Sequence, residues 1–233
     1  VHDLERFLTA IEEKKTINAS PMRVAVADSM RRSWSRPLAT VGSPVALEKL
    51  LKHRKAQSDP KPGPALYALR ALALALKESP QDGGFLLGRR IILPETIDIG
   101  FAVEVPDGVM VPVLKNAADR SLSELVEDYG RLVEKARAKN LSSEEIQPGV
   151  ATVTNFGSFG INWATPIPLP EQNLVLGLGA GAKRPVWDAE SDSFRPVVEA
   201  ELTLSFDHRV LDGGHAGRLL QKVAALMNTP EEL

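Results

Sequence analysis

Two hydrophobic periods divide the chain. Near its start Leu4, Phe7, Leu8 and Ile11 recur at helical spacing, which predicts a helix over residues 1–14. Residues 15–21 break that pattern and read as a linker. Ser20-Pro21 reads as a helix start, because a proline in the first turn gives up an N–H that has no intrahelical partner. An amphipathic run follows over 22–34, then an extended stretch over 36–44 punctuated by Pro37 and Pro44. Residues 64–77 form an Ala/Leu-rich helix with Leu66, Leu69, Leu72, Ala73 and Leu76 on one face.

The period then falls to two. Ile97, Ile99, Phe101, Val103 and Val105 alternate with Asp98, Gly100, Ala102 and Glu104, which predicts a half-buried strand. Pro106-Asp107-Gly108 signals a turn, and Val109, Val111 and Val113 alternate beyond it, so the segment reads as a hairpin. A helix is predicted over 121–139, opened by a capping box at Ser121-Leu122-Ser123-Glu124. Short strands are predicted over 150–155 and 174–178. The cleanest strand has Val198, Ala200, Leu202, Leu204 and Phe206 on one face and Glu199, Glu201, Thr203 and Ser205 on the other. A last helix is predicted over 213–227. Abundant strands and helices with one tight hairpin predict an α+β fold: a two-layer sandwich, with a mixed sheet and helices packed on one side.

The segment Ser205-Phe206-Asp207-His208-Arg209-Val210-Leu211-Asp212-Gly213-Gly214 carries the candidate chemistry. It puts His208 just past the end of a strand, where a rigid element presents a side chain at the sheet edge. Imidazole is the side chain suited to take up a proton near neutral pH. Asp212, four residues on, is placed to orient the site or to hold a cation. The plain alternatives are a structural histidine and a helix cap. His215, seven residues from His208, lacks the spacing and the third ligand of a metal site, so no metal is expected. His2 and His53 sit in charged segments and are expected to be solvated. The glycines at 177, 179 and 181 lack the order of a phosphate loop and are expected to form a sheet-edge turn.

Composition narrows the classes. The 233 residues carry 28 basic and 30 acidic side chains, so neither nucleic acid nor an anionic membrane is the expected partner. There is no cysteine, which excludes a disulfide framework, a thiolate nucleophile and a cysteine-held metal from this chain. The segment opens on Val1 without a signal-peptide pattern and is expected to be a piece of a longer parent chain.

Ser205–Gly213 resembles, almost letter for letter, the signature of the dihydrolipoamide acyltransferase catalytic domain of 2-oxo acid dehydrogenase complexes, a relative of chloramphenicol acetyltransferase. Other segments agree in order: Met22-Arg23 through Met30-Arg31-Arg32-Ser33-Trp34, Ile99–Val103 with Pro106–Val113, Thr152–Gly160, Thr165-Pro166-Ile167 and Leu176–Gly179. The resemblance covers residues 19–233. Residues 1–18, with Asp3-Leu4-Glu5-Arg6-Phe7-Leu8, resemble the end of a peripheral subunit-binding domain and its linker.

The resemblance implies acyl transfer between a dihydrolipoyl thioester and coenzyme A. His208 matches the general base and Thr154 the hydroxyl that steadies the tetrahedral intermediate. Asp212 matches an acidic supporting residue, for which Arg23 is a candidate partner. It further implies coenzyme A as substrate and a lipoamide carried on a domain absent from this segment. The implied assembly is a homotrimer whose site lies between subunits and which can build a larger core, together with decarboxylase and dihydrolipoamide dehydrogenase components. The implied location is the bacterial cytoplasm or the mitochondrial matrix. Residues 37–44 lack the family's usual histidine and acidic residues, and Gln81-Asp82-Gly83-Gly84 replaces its usual Leu-Asn-Ala, so the acyl group is left open. Thr154 in place of serine points to succinyl. A catalytically silent assembly core and a small-molecule acetyltransferase of the chloramphenicol type are the alternatives.

Overall fold

In the computed structural model, which describes residues 2–12 and 14–233, the order is α1 (His2–Glu12), α2 (Pro21–Trp34), β1 (Leu38–Ala46), α3 (Glu48–Ala56), α4 (Pro64–Glu78), β2 (Phe85–Leu87), β3 (Arg90–Ile92), β4 (Ile99–Phe101), β5 (Val103–Val105), β6 (Gly108–Met110), β7 (Val113–Leu114), α5 (Leu122–Arg137), β8 (Ala151–Asn155), β9 (Leu174–Leu178), β10 (Ala182–Asp188), β11 (Ser193–Asp207) and α6 (Gly213–Asn228). The helix predicted over 1–14 includes Val1 and Glu13, which lie outside the described residues.

Seven strands make one mixed sheet in the order β1-β11-β9-β8-β4-β7, with β10 pairing along the first part of β11. Strand β11 is the spine. Its residues 193–199 pair with β10, and 199–207 pair antiparallel with β1. Strand β8 runs parallel to both β4 and β9. One face of the sheet presents Ala151, Val153, Leu174, Leu176, Leu202, Leu204 and Phe206, all buried, to α4 and α6. Helix α4 is buried nearly all round, as expected of an Ala/Leu helix at the centre of the core. Helix α5 begins with the predicted capping box: the Ser121 hydroxyl accepts from the Glu124 N–H at 3.3 Å, and the Glu124 carboxylate accepts from the Ser121 N–H at 2.7 Å.

The other face departs from the expectation of a half-solvated strand. Thr203 and Ser205 are as buried as their apolar neighbours. Helix α2 and the loop after β8 approach this face, lining one space with Thr152, Thr154 and Val175, and the Ser33 hydroxyl ties the two together by donating to the Pro168 carbonyl at 2.7 Å. The small hydroxyls pair within the covered layer, Thr40 with Ser205 at 2.7 Å and Thr152 with the Gln172 side-chain carbonyl at 2.7 Å. Alternation reveals a polar face; it carries no sign of a second layer that covers it.

The hairpin also differs. Its tip, β5 with β6, is a separate two-stranded ribbon, while β4 and β7 belong to the main sheet. Helix α3 and strands β2, β3 and β10 have no counterpart among the predicted elements. Helix α3 buries only Leu50 and is otherwise mostly Lys, Arg, Glu and His; β2 and β3 are three residues each; β10 carries Lys183, Arg184 and Pro185 on a largely exposed ribbon. Nor is His53 simply solvated, because its Nδ1 lies 2.8 Å from the Tyr67 hydroxyl and its Nε2 3.1 Å from Gln57. No helix of the described residues is long and apolar enough to cross a membrane.

Gly177 in β9 is required by packing. A Cβ there would lie 2.5 Å from the Phe156 ring and 2.5 Å from the Thr203 hydroxyl. Gly177→Ala is expected to destabilise the fold by about 1–3 kcal/mol through overpacking, read as a lowered urea midpoint at unchanged slope. An unaltered midpoint would show that the Phe156 ring can move aside.

Candidate active site

His208 follows β11 directly, and the structure fixes its backbone from several sides. Its N–H donates to the Pro37 carbonyl at 2.8 Å. The preceding N–H, that of Asp207, donates to both the backbone and side-chain oxygens of Asn173 at 3.1 Å. The Asn173 amide in turn donates to the Asp82 carbonyl at 2.8 Å, tying the end of β11 to the turn after α4. The imidazole itself is exposed, 5.6 Å from the buried Phe206 ring.

Beneath it lies a buried ionic brace. The Asp207 carboxylate, 3% exposed, accepts from Arg209 at 2.7 and 2.9 Å and lies 3.9 Å from Arg36, which is 6% exposed. Arg36 also donates to the carbonyls of Gln172, Pro168 and Leu169. Burial alone would raise the Asp207 pKa. Hydrogen bonds from the Arg209 side chain and backbone, with the charges of Arg209 and Arg36, outweigh it and hold the carboxyl below the ordinary carboxylate range.

Asp212 occupies the N-cap of α6. Its carboxylate accepts from the His215 N–H at 2.8 Å and lies 3.0 Å from the His215 ring. The backbone N–H of His215, then its side chain, hold this exposed carboxyl below its ordinary pKa. Among the described residues, His215 is its ionic partner within the chain, and Arg23 is elsewhere. Arg23 lines a cavity of about 830 Å³ together with Glu104, Tyr129, Arg137, Thr154 and Ser158. Thr154, half-buried on β8, also borders a second cavity of about 290 Å³ beneath α2.

Register separates the two candidate residues within one chain. Thr154 shares a rung with Gly177, and Gly177 with Thr203. His208 lies five positions further along β11 and two strands away from β8. At ~3.3 Å per residue and ~4.8 Å per strand, that is on the order of 15–20 Å. The chain thus presents an exposed imidazole at one end of its strands and a hydroxyl beside a large cavity toward the other.

Sequence reasoning singled out Asp212 as the supporting carboxylate and did not single out Arg36, Asn173 or Asp207, which hold the backbone around His208. The Asp207-His208-Arg209 triplet held one signal, an acid and a base two residues apart at a strand end; Asn173 offered none.

The architecture is that of the chloramphenicol acetyltransferase fold: a solved chloramphenicol acetyltransferase superposes with a TM-score of 0.56 at 14% identity, over 86% of this chain and 95% of that one. The family is narrower. The model described as 2-oxoacid dehydrogenases acyltransferase (catalytic domain) matches residues 11–233, and the chain belongs to that family. It is 34% identical over 210 residues to the dihydrolipoyllysine-residue acetyltransferase component of the pyruvate dehydrogenase complex of Azotobacter vinelandii, covering 86% of this chain and 33% of the relative. It is 33% identical over 168 residues to the succinyltransferase component of the 2-oxoglutarate dehydrogenase complex of Staphylococcus saprophyticus, covering 72% and 39%. The solved dihydrolipoamide acetyltransferase of Azotobacter vinelandii superposes with a TM-score of 0.87 at 31% identity, covering 92% of this chain and 91% of that one. The chain spans little more than a third of the length of these two curated relatives.

Proposed function

We propose that this domain transfers an acyl group between a dihydrolipoyl thioester and coenzyme A at a site completed by a second copy of the chain. The observation that carries the reading is the separation of the two candidate residues: an imidazole held firmly but left exposed, and a hydroxyl beside an 830 Å³ cavity, too far apart in one chain to act on one bond. A rotationally symmetric trimer would bring the His208 end of one subunit to the Thr154 cavity of the next.

In that arrangement His208 takes the proton from the coenzyme A thiol, whose ordinary pKa near 8.5 leaves little thiolate at neutral pH. The sulfur attacks the thioester carbonyl, and the Thr154 hydroxyl donates to the oxygen as it becomes negative. Collapse releases the dihydrolipoyl sulfur, and His208 returns the proton to it. The acyl group passes directly between two thiols. The guanidiniums of Arg23 and Arg137 line the same cavity, which suits a phosphate-bearing thiol. Asp212 acts on the site by fixing the start of α6 immediately after the His208 loop.

The family and its relatives support a place at the core of a multienzyme complex. There a lipoyl domain carried elsewhere in the parent chain delivers the acyl group, and decarboxylase and dihydrolipoamide dehydrogenase components complete the cycle. Residues 1–18 are then the tail of the domain that docks those components.

Thr154→Val is expected to lower the turnover of acyl-dihydrolipoamide with coenzyme A by ~10²–10³-fold with little change in KM. Unchanged turnover would remove Thr154 from the chemistry. Sedimentation is expected to give a trimer or a multiple of three, and an active monomer would contradict a shared site.

A further inference from the structure

The second cavity that Thr154 borders is chemically unlike the first. It runs beneath α2 and is lined chiefly by Val26, Met30, Val109, Val111, Ile167 and Val175. Its polar groups are the hydroxyls of Ser29, Thr152 and Thr154, and among the described residues no charged side chain lines it. It continues past Val26, Val109 and Val111 into a further apolar recess of about 300 Å³. Arg23 and Arg137 border the large cavity on the other side of Thr154 and are not part of the slot. Ala102, Val109 and Thr154 are common to both spaces, so the hydroxyl stands where they meet.

Resting on the acyl-transfer reading, we propose that this slot receives the acyl chain and selects a short aliphatic, uncharged acyl group, branched or linear, over succinyl and over acetyl. A thioester whose carbonyl oxygen meets Thr154 has one direction open to the large polar cavity, where the thiol and its phosphates belong. The other direction is the slot. At ~30 Å³ for a water-sized group, a space of about 290 Å³ admits a chain of several carbons and is left mostly empty by acetyl. A succinyl carboxylate would enter it with no cation to meet it and would lose its hydration uncompensated. An isobutyryl or isovaleryl chain meets valine, isoleucine and methionine side chains. This reverses the preference suggested by Thr154 standing in the place of serine: the surroundings of the hydroxyl, rather than its identity, set the acyl class.

The test compares kcat/KM for acetyl-, isobutyryl-, isovaleryl- and succinyl-dihydrolipoamide at fixed coenzyme A, using the assembled oligomer. The branched donors are expected to exceed succinyl by ~10²-fold or more, and each added buried methylene to favour them over acetyl by ~10-fold or more. Succinyl or acetyl as the best donor overturns the proposal and leaves acyl transfer standing. Met30→Trp fills the slot from a half-exposed position that the fold can tolerate, and is expected to lower the branched donors ~10–200-fold relative to acetyl. Equal losses for every donor would show a structural effect and overturn it. Val26→Arg supplies the missing cation and is expected to raise succinyl relative to isovaleryl; an unmoved ratio counts against the slot. If no donor is turned over, acyl transfer itself fails. The slot is then judged by calorimetry with S-isovaleryl- and S-succinyl-dihydrolipoamide, and equal binding of the two overturns it.

Discussion

If His208 is the general base, His208→Ala is expected to lower acyl transfer to coenzyme A by ~10²–10⁴-fold, the usual contribution of such a group, and to leave assembly and the unfolding midpoint unchanged. The structural argument for that division is direct. The groups that hold this corner of the fold are the His208 backbone N–H on Pro37, the Asp207 N–H on Asn173 and the ionic brace on Asp207. All of them survive truncation at His208, whose imidazole is exposed and rests only near Phe206. The loss is therefore expected in kcat, with KM for both thiols nearly unchanged, because the imidazole acts on the proton in flight more than on either bound substrate. Near-normal turnover in a well-assembled His208→Ala protein would discard the base assignment. Undetectable transfer by the unaltered protein would favour the silent assembly core.

Much of this corner is legible in the amino-acid sequence. The alternation from Val198 to Phe206 fixes a strand, the glycine pair at 213 and 214 opens a helix, and His208 between them has to sit at a sheet edge. These are short-range patterns, and short-range patterns survive in a linear sequence. The brace is different in kind. Arg36 and Asp207 meet across the β1–β11 pairing, and Asn173 joins them from the start of β9. Nothing local to Arg36 marks it as buried, and a lone arginine beside a proline is read as solvated. The distance between Thr154 and His208 is hidden for the same reason, since it depends on the register of three strands. The covered hydroxyl layer is hidden too, because Thr203 and Ser205 alternate like solvent-facing positions and only tertiary packing buries them.

The brace carries the second large effect. Asp207→Ala is expected to lower unfolding stability by about 3–5 kcal/mol, because it leaves the buried Arg36 guanidinium without its countercharge. Activity should fall with it, since Asp207 and His208 are consecutive. The pH dependence distinguishes an ionic brace from simple packing. The folded-state pKa of Asp207 lies below its unfolded value, so the native state favours the carboxylate. Its contribution is therefore fully present above the ordinary aspartate pKa of ~3.9 and is lost as pH falls through the depressed folded value. Urea unfolding of the unaltered protein and of Asp207→Ala is expected to show a constant stability gap from neutral pH down to ~5, narrowing steadily below ~4 as the carboxylate is protonated. A gap that persists undiminished at acid pH would mean that Asp207 supports the site through its shape and neutral hydrogen bonds. Arg36→Met, which keeps volume and removes charge, separates the two partners. It leaves Asp207 still held by Arg209, so its loss should be smaller at Asp207 and arise mainly from the Gln172 carbonyl left without a donor, since the Pro168 and Leu169 carbonyls keep the Ser33 hydroxyl and the Gln172 N–H.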